Sequence, residues 1–301
     1  MQKTLISIIG STGIGKTKLA IEMAKHFGTE IISCDSRQFF KEMKIGTATP
    51  TDEELAQAKH HFIGHLSVQD YYSIGQYEED ALEKIEEIFE KNDFAVLVGG
   101  SMMYEKAVVE GLNDLPEANA ENQEKLQKIL DEEGLEKLQE ILKNLDEEYY
   151  NVVHKENPRR LLRAIDVIWQ TGRKYSEIIA EPKHKRDFKV IRIGITAPRE
   201  IMYERINLRV DKMLEKGLID EVKSLTKYQK LVPLQTVGYT EIFKYLEGTW
   251  DLDFAVEEIK KNSRRYAKRQ ETWNRKVENV TWLPYDYSEE QLHEILSKIE
   301  K

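Results

Sequence analysis

Eight residues near the N-terminus, Gly10-Ser11-Thr12-Gly13-Ile14-Gly15-Lys16-Thr17, fit the pattern G-x-x-x-x-G-K-[S/T], and no other feature constrains the fold of this chain as tightly. Before them, Leu5 to Ile9 is an apolar, β-branched run. After them, Leu19, Ala20, Met23, Ala24 and Phe27 recur at helical spacing. Strand, glycine loop and helix in that order make a phosphate-binding loop, in which glycines let backbone N–H groups converge on phosphate oxygens at a helix N-terminus. Lys16 adds a point charge and Thr17 offers a hydroxyl to Mg²⁺. The motif specifies phosphate; it does not specify a nucleoside triphosphate.

The rest of the chain supplies the sheet that such a loop requires. Glu30 to Cys34, Phe94 to Val98, Lys189 to Ile195 and Val280 to Leu283 predict four more strands, and Ala81, Leu82, Ile85, Ile88 and Phe89 give the crossover helix before the third strand a buried face. Continuous apolar strands alternating with helices imply an α/β fold with a P-loop NTPase-like parallel sheet, covered on both faces and binding ligands at the strands' carboxyl ends. At 301 residues the chain has room for a second domain or an insertion. The span between the third and fourth strands reads as helical, with Leu126, Ile129, Leu130, Leu135, Leu138, Ile141, Leu142 and Leu145 in one stretch broken near Gly134, and Leu161 to Trp169 in another. The expected organisation is a core of residues 1–110 and 189–301 with a helical insertion domain at 111–188. Residues 199–276 form a helical C-terminal region broken at Gly217, Pro233, Gly238 and Gly248.

No apolar run approaches the roughly 18 to 20 residues of a membrane span, and glycines with a lysine interrupt the apolar start where a signal peptide would continue. A cytoplasmic, membrane-free protein is expected. One cysteine, Cys34, excludes an internal disulfide and a cysteine-based zinc cage. The net charge of −9 argues at first against a nucleic-acid partner, but the charge is segregated. Residues 110–150 hold 4 lysines against 13 acids, residues 154–210 hold 14 Lys and Arg against 7 acids, and residues 259–276 hold 8 against one. Basic segments inside an acidic protein are either an electrostatic footprint for a polyanion or solvated helix faces.

Individual residues sharpen this. Asp35 ends the second strand and faces the same sheet edge as Lys16, where it serves as a Mg²⁺ ligand, a general base or a turn-capping carboxylate. The third strand, where an ATPase often carries its acid, ends instead in Gly99-Gly100-Ser101. Asn157 and Pro158 predict a helix start, which sets Arg159 and Arg160 in a first turn where the helix dipole disfavours cations by roughly a few tenths of a kcal/mol each. An RNA phosphate would reverse that sign, and so would pairing with the acidic segment before it. Arg264, Arg265, Lys268, Arg269 and Arg275 interleave with Tyr266 and Trp273, a mixture suited to phosphates and stacked bases. His61 and His65 lack a nearby third ligand, and Cys34 lacks a basic neighbour that would activate it.

These motifs, in this order, resemble the tRNA dimethylallyltransferases, also called tRNA isopentenyltransferases, of the bacterial type. The likeness adds Asp35-Ser36-Arg37-Gln38, Ile45-Gly46-Thr47-Ala48, His60-His61, Val98 to Ser101, Gly111-Leu112, Asn157 to Arg163 with Gly172, Arg205 to Arg209, Val237-Gly238-Tyr239, and Ala267 to Gln270 with Thr272-Trp273. The resemblance implies transfer of a dimethylallyl group from dimethylallyl diphosphate to the exocyclic amine of the adenosine 3′ of the anticodon in tRNA, with pyrophosphate leaving. It implies Asp35, Ser101 and Arg209 as catalytic residues, Gly10, Ser11, Thr12, Gly13, Ile14, Gly15, Lys16 and Thr17 as the diphosphate site, and Mg²⁺ near Thr17. It further implies tRNA contacts at Asp35, Ser36, Arg37, Gln38, Ser101 and Gln123, at Arg159, Arg160, Leu161, Leu162 and Arg163, and at Gln235, Thr236, Val237, Gly238, Tyr239 and Thr240. A monomer binding the anticodon stem-loop is expected. The chain departs from the family pattern at Ser101, where threonine is usual, at Phe40 for tyrosine, at Thr49 for lysine and at Gln123 for arginine.

Overall fold

The structure is a computed structural model that describes residues 2–300. In chain order its first elements are β1 (Thr4–Gly10), α1 (Lys16–Phe27), β2 (Ile31–Ser33), α2 (Asp52–Leu55), β3 (His60–His61), α3 (Ile74–Phe89), β4 (Phe94–Val98) and α4 (Met102–Glu110). Five helices follow, α5 (Ala120–Glu133), α6 (Leu135–Leu145), α7 (Glu147–Val152), α8 (Pro158–Thr171) and α9 (Tyr175–Ala180). The chain then runs through β5 (Lys189–Thr196), α10 (Arg199–Glu215), α11 (Leu218–Ser224), α12 (Tyr239–Leu246), α13 (Leu252–Asn274), β6 (Val280–Pro284) and α14 (Glu289–Ile299). It divides into two compact units, Met1–Val109 with Arg186–Lys301, and Glu110–Lys185. No helix among the described residues is long and apolar enough to cross a membrane.

The larger unit is built on one parallel sheet in the order β3-β2-β4-β1-β5-β6. Five of its strands are those expected from the sequence. The sixth, β3, is two residues long and sits at the edge, too short to leave a periodic signal. Side chains alternate between faces as strand geometry demands: Leu5, Ile32, Ala95 and Leu97 join the core under α3, α11 and α12, whereas Ile6, Ile8, Ile31, Val96 and Val98 join the one under α1 and α14. The register aligns Ile8 with both Val98 and Ile193, and Ser33 with Val98. The carboxyl ends of β1, β2, β4 and β5 therefore open at one edge, and the residues that follow them meet there.

The smaller unit is all helical. Leu126, Leu138, Leu142, Leu161, Ala164, Ile165 and Ile168 form its core. Gly134, at φ 83°, separates α5 from α6, a backbone state that favours glycine. Asn157 caps α8 by accepting from the Arg160 N–H, with Pro158 at the first helical position, as expected. Two buried aspartates tie the helices together. Asp146 accepts from the Tyr149 N–H and from both the N–H and hydroxyl of Ser176. Asp166, fully buried, accepts from Asn122, Arg163 and Gln170. Sequence reading set the insertion at 111–188, but the unit ends at Lys185. Arg186 donates to the Val108 and Ala107 carbonyls (2.8 and 2.6 Å) and pairs with Glu78, so it belongs to the sheet unit.

Candidate active site

The phosphate loop closes the end of β1. Gly10 crosses β5 so closely that a Cβ there would stand 2.9 Å from the Ile195 carbonyl oxygen, and Gly15 caps α1 at φ 114°. The Lys16 ammonium donates to the Gly10 and Ser11 carbonyls (3.0 and 2.8 Å), held against the loop it serves. Burial pushes Lys16 down to about 8, with the positive Arg209 acting in the same sense and Asp35 opposing them. Desolvation also pulls Arg209 below its ordinary value, again against Asp35. The site thus holds two cations in an environment that lacks the counter-charge to match them, the electrostatic state of a receptor for a polyanion.

Helix α10 brings two arginines, one turn apart, onto the loop. Arg209 donates to the Thr12 hydroxyl (3.1 Å) and to the Thr47 carbonyl (3.0 Å), and Arg205 donates to the Gly13 carbonyl (3.0 Å). From the other side, Gln270 of α13 accepts from the Thr12 N–H (2.8 Å) and donates to the Gly100 carbonyl (2.8 Å), which also accepts from the Tyr266 hydroxyl (2.8 Å). One amide of the phosphate nest is thereby satisfied by a side chain, as a buried N–H requires.

Asp35 stands just beyond β2. Its carboxylate caps the turn by accepting from the Arg37 N–H (3.2 Å), and Gly100 backs it. Glycine is required at residue 99 by close approach: a Cβ there would lie 2.5 Å from the Cys34 carbonyl carbon. Ser101 accepts from the Ser36 N–H (3.0 Å) and shares a hydroxyl bond with Ser36 (2.9 Å), joining the ends of β2 and β4. Gln38 reaches the Thr47 and Ala48 carbonyls, and Thr49 bonds the Thr47 hydroxyl. Cys34 is buried, and that burial together with Glu105 and Asp35 raises its thiol well above the usual range, so it is no nucleophile.

The structure therefore gathers Gly10 to Thr17, Asp35 to Gln38, Ser101 and Arg209 at one sheet edge. It assigns other residues differently. Tyr239 is fully buried, its hydroxyl bonded to Glu221 (2.6 Å), and its ring packs against Gly46. Gln235 is exposed, Val237 packs on the core, and Thr236 and Thr240 are bonded to each other through the Thr236 carbonyl. In the helical unit Leu161 is core, Leu162 packs against it, and Arg163 is engaged by Asp166 and the Pro116 carbonyl. The Leu161 and Tyr239 side chains are fully buried and present no surface of their own, and Arg163 is bonded within its own unit. Arg159 and Arg160 remain exposed on a cavity with His154 and Glu156, and Gln123 is half-buried. Sequence reasoning assigned no individual role to Arg205, Gln270 or Glu221; the fold brings Arg205 and Gln270 to the loop and Glu221 to the neighbouring Ile45–Gly46 turn, and it sets Tyr266, expected among the stacking residues, on the Gly100 carbonyl.

A family model described as IPP transferase matches residues 38–277. The tRNA dimethylallyltransferase of Christiangramia forsetii is 49% identical over 99% of both chains, and tRNA dimethylallyltransferase 1 of Bacteroides fragilis is 46% identical over 99% of this chain and 98% of its own. Among solved structures, the tRNA isopentenylpyrophosphate transferase of Bacillus halodurans superposes with a TM-score of 0.73 at 35% identity, covering 99% of this chain and 96% of that one. A eukaryotic dimethylallyltransferase acting on tRNA superposes at 0.85 with 26% identity, covering 98% and 79%. The chain belongs to the IPP transferase family.

Proposed function

We propose that this protein transfers a dimethylallyl group from dimethylallyl diphosphate to the exocyclic amine of the adenosine 3′ of the anticodon in tRNA. The observation that carries the reading is the meeting of an under-neutralised phosphate loop with the Asp35 carboxylate at one sheet edge. The loop amides, Lys16 and Arg209 bind the diphosphate. The amine nitrogen attacks the allylic carbon, the carbon–oxygen bond breaks, pyrophosphate leaves with the bonding pair, and Asp35 accepts the proton that the nitrogen sheds. Ser101 positions the Asp35–Ser36 turn beside that centre.

Mg²⁺ fits the loop in a limited way. The Thr17 hydroxyl has no side-chain partner among the described residues and is available as a ligand, but no group of three His, Cys, Asp or Glu side chains among them could hold a metal. The ion would ride on the diphosphate oxygens with Thr17, offsetting charge on the leaving group. For the RNA, α13 offers a groove of about 400 Å³ walled by Arg265, Lys268, Arg269, Thr272, Trp273 and Lys276. Arg159 and Arg160 offer a second set of cations on the helical unit, which we take to contact tRNA. The target base must leave its stack to reach a buried carbon. We take the protein to act on tRNA as a monomer in the cytoplasm. Incubation with substrate tRNA and labelled dimethylallyl diphosphate tests the reading: label in the anticodon loop supports it, and unlabelled RNA with ATP consumed instead refutes it.

A further inference from the structure

A separate cavity of about 190 Å³ borders the phosphate loop at Gly10, Ser11 and Ile14 yet includes none of Lys16, Thr17, Asp35, Ser101 or Arg209. Its apolar lining is Ile14, Ile195, Ala197 and Met202. The lining also includes Trp282 of β6, 42% exposed, whose indole packs on β5 at Gly194: a Cβ on residue 194 would stand 2.3 Å from the ring. The polar lining is Thr196 with Glu271, Asn274 and Arg275 at the end of α13. None of these four side chains has a hydrogen-bond or ion-pair partner among the described residues. Asn274 is the telling one: the residue is only 5% exposed, its carboxamide has no protein partner, and what solvent contact its polar atoms keep is through the cavity it lines.

We propose that this cavity binds an adenine base. The volume falls below the roughly 300 Å³ of the smallest drug-sized sites, which limits the occupant to one ring system. Glu271 and Arg275 leave the rim without net charge, so a neutral group fits better than an ion. Aliphatic side chains and an indole together line the cavity, a combination that suits a flat heterocycle, and aromatic faces are the usual stacking partners of bases. A carboxamide presents one acceptor and one donor in a plane, the pair that matches the N6 amine and N7 of adenine. Glu271 and Arg275 are free to bond the remaining edge. The base belongs either to a free nucleoside or to an adenosine of an RNA.

Adenosine, which carries no phosphate for the loop, is titrated into the full-length protein by NMR and calorimetry, with cytidine as comparison. The expected result is adenosine binding at least tenfold tighter than cytidine, Overhauser contacts from the base to the Trp282 indole, and at least tenfold weakening in Asn274→Leu and in the cavity-filling Ala197→Phe. If adenosine alone does not bind but Asn274→Leu weakens an anticodon stem-loop RNA at least fivefold with dimethylallyl diphosphate affinity unchanged, the base comes from the RNA. Adenosine binding without contact to Trp282 and indifferent to both variants overturns the proposal, as does the absence of any effect on either ligand. Because every readout is binding, the proposal stands or falls independently of the transfer reaction.

Discussion

Gly100 and Asp35 are packed so closely that a Cβ on residue 100 would lie 2.8 Å from the Asp35 Oδ2 and 3.4 Å from the Gln270 Nε2. Residue 100 has no left-handed φ to defend, so alanine is acceptable to the backbone and the clash falls on the carboxylate. Gly100→Ala should lower the rate of transfer by about 10²-fold, the cost of displacing a reacting group by about an ångström. Diphosphate affinity and thermal stability should change little. Single-turnover kinetics with a binding isotherm separates these effects, and an unchanged rate would remove Asp35 from the reacting centre.

Glu221 carries three bonds to one end of the site: it accepts from the Ile45 N–H (2.7 Å), the Gly46 N–H (2.9 Å) and the Tyr239 hydroxyl. It fixes the turn whose Thr47 carbonyl receives Arg209 and Gln38. Glu221→Ala strands two backbone donors and should cost about 1–3 kcal/mol per buried group left unsatisfied, together with weaker diphosphate binding as Arg209 loses its anchor. Tyr239→Phe removes one bond and should cost only about 1 kcal/mol. Denaturant unfolding of the two variants checks the order.

The depressed Lys16 gives a pH signature. In the free protein Lys16 loses its proton near pH 8, while a bound diphosphate favours the charged form and raises its pKa. Affinity should therefore be level below pH 8 and fall by up to about tenfold per unit above it, with net proton uptake on binding between pH 8 and 9. Calorimetry in buffers of different ionisation enthalpy measures that uptake. Proton release in the wild type, or proton uptake that persists in Lys16→Arg, would contradict the assignment.

Arg160 and Arg163 lie one turn apart on α8 but should behave oppositely. Exposed Arg160, replaced by alanine, should lower the slope of log tRNA affinity against log salt by roughly one unit and leave stability alone. Arg163→Ala removes a partner from the fully buried Asp166 and should destabilise the protein by about 2 kcal/mol. That is less than the loss of a fully buried pair, because a third of the arginine is exposed. Salt titration and thermal unfolding of both variants distinguish them.

The loop, five strands, the α8 cap and the break at Gly134 were all legible in the sequence, because each rests on a local rule: periodicity, a capping residue, or a glycine in a left-handed state. The placement of Asp35 opposite Lys16 also followed, since parallel strands carry their carboxyl ends to a common edge. What stayed hidden depends on packing between distant segments. Gln270 lies 258 positions from Thr12 and Glu221 lies 175 from Gly46, and nothing local distinguishes either from a solvent-exposed helix residue. Arg163 looked like part of a basic cluster because Asp166 reads as one more acid until its burial is seen.

The account depends most on where the diphosphate sits. A crystal structure of the protein with a non-hydrolysable thiolo analogue of dimethylallyl diphosphate tests this directly. The account predicts the diphosphate within the Gly10–Thr17 loop, contacted by Lys16 and Arg209, with the allylic carbon facing Asp35. A diphosphate bound elsewhere, or an allylic carbon turned away from Asp35, would contradict it.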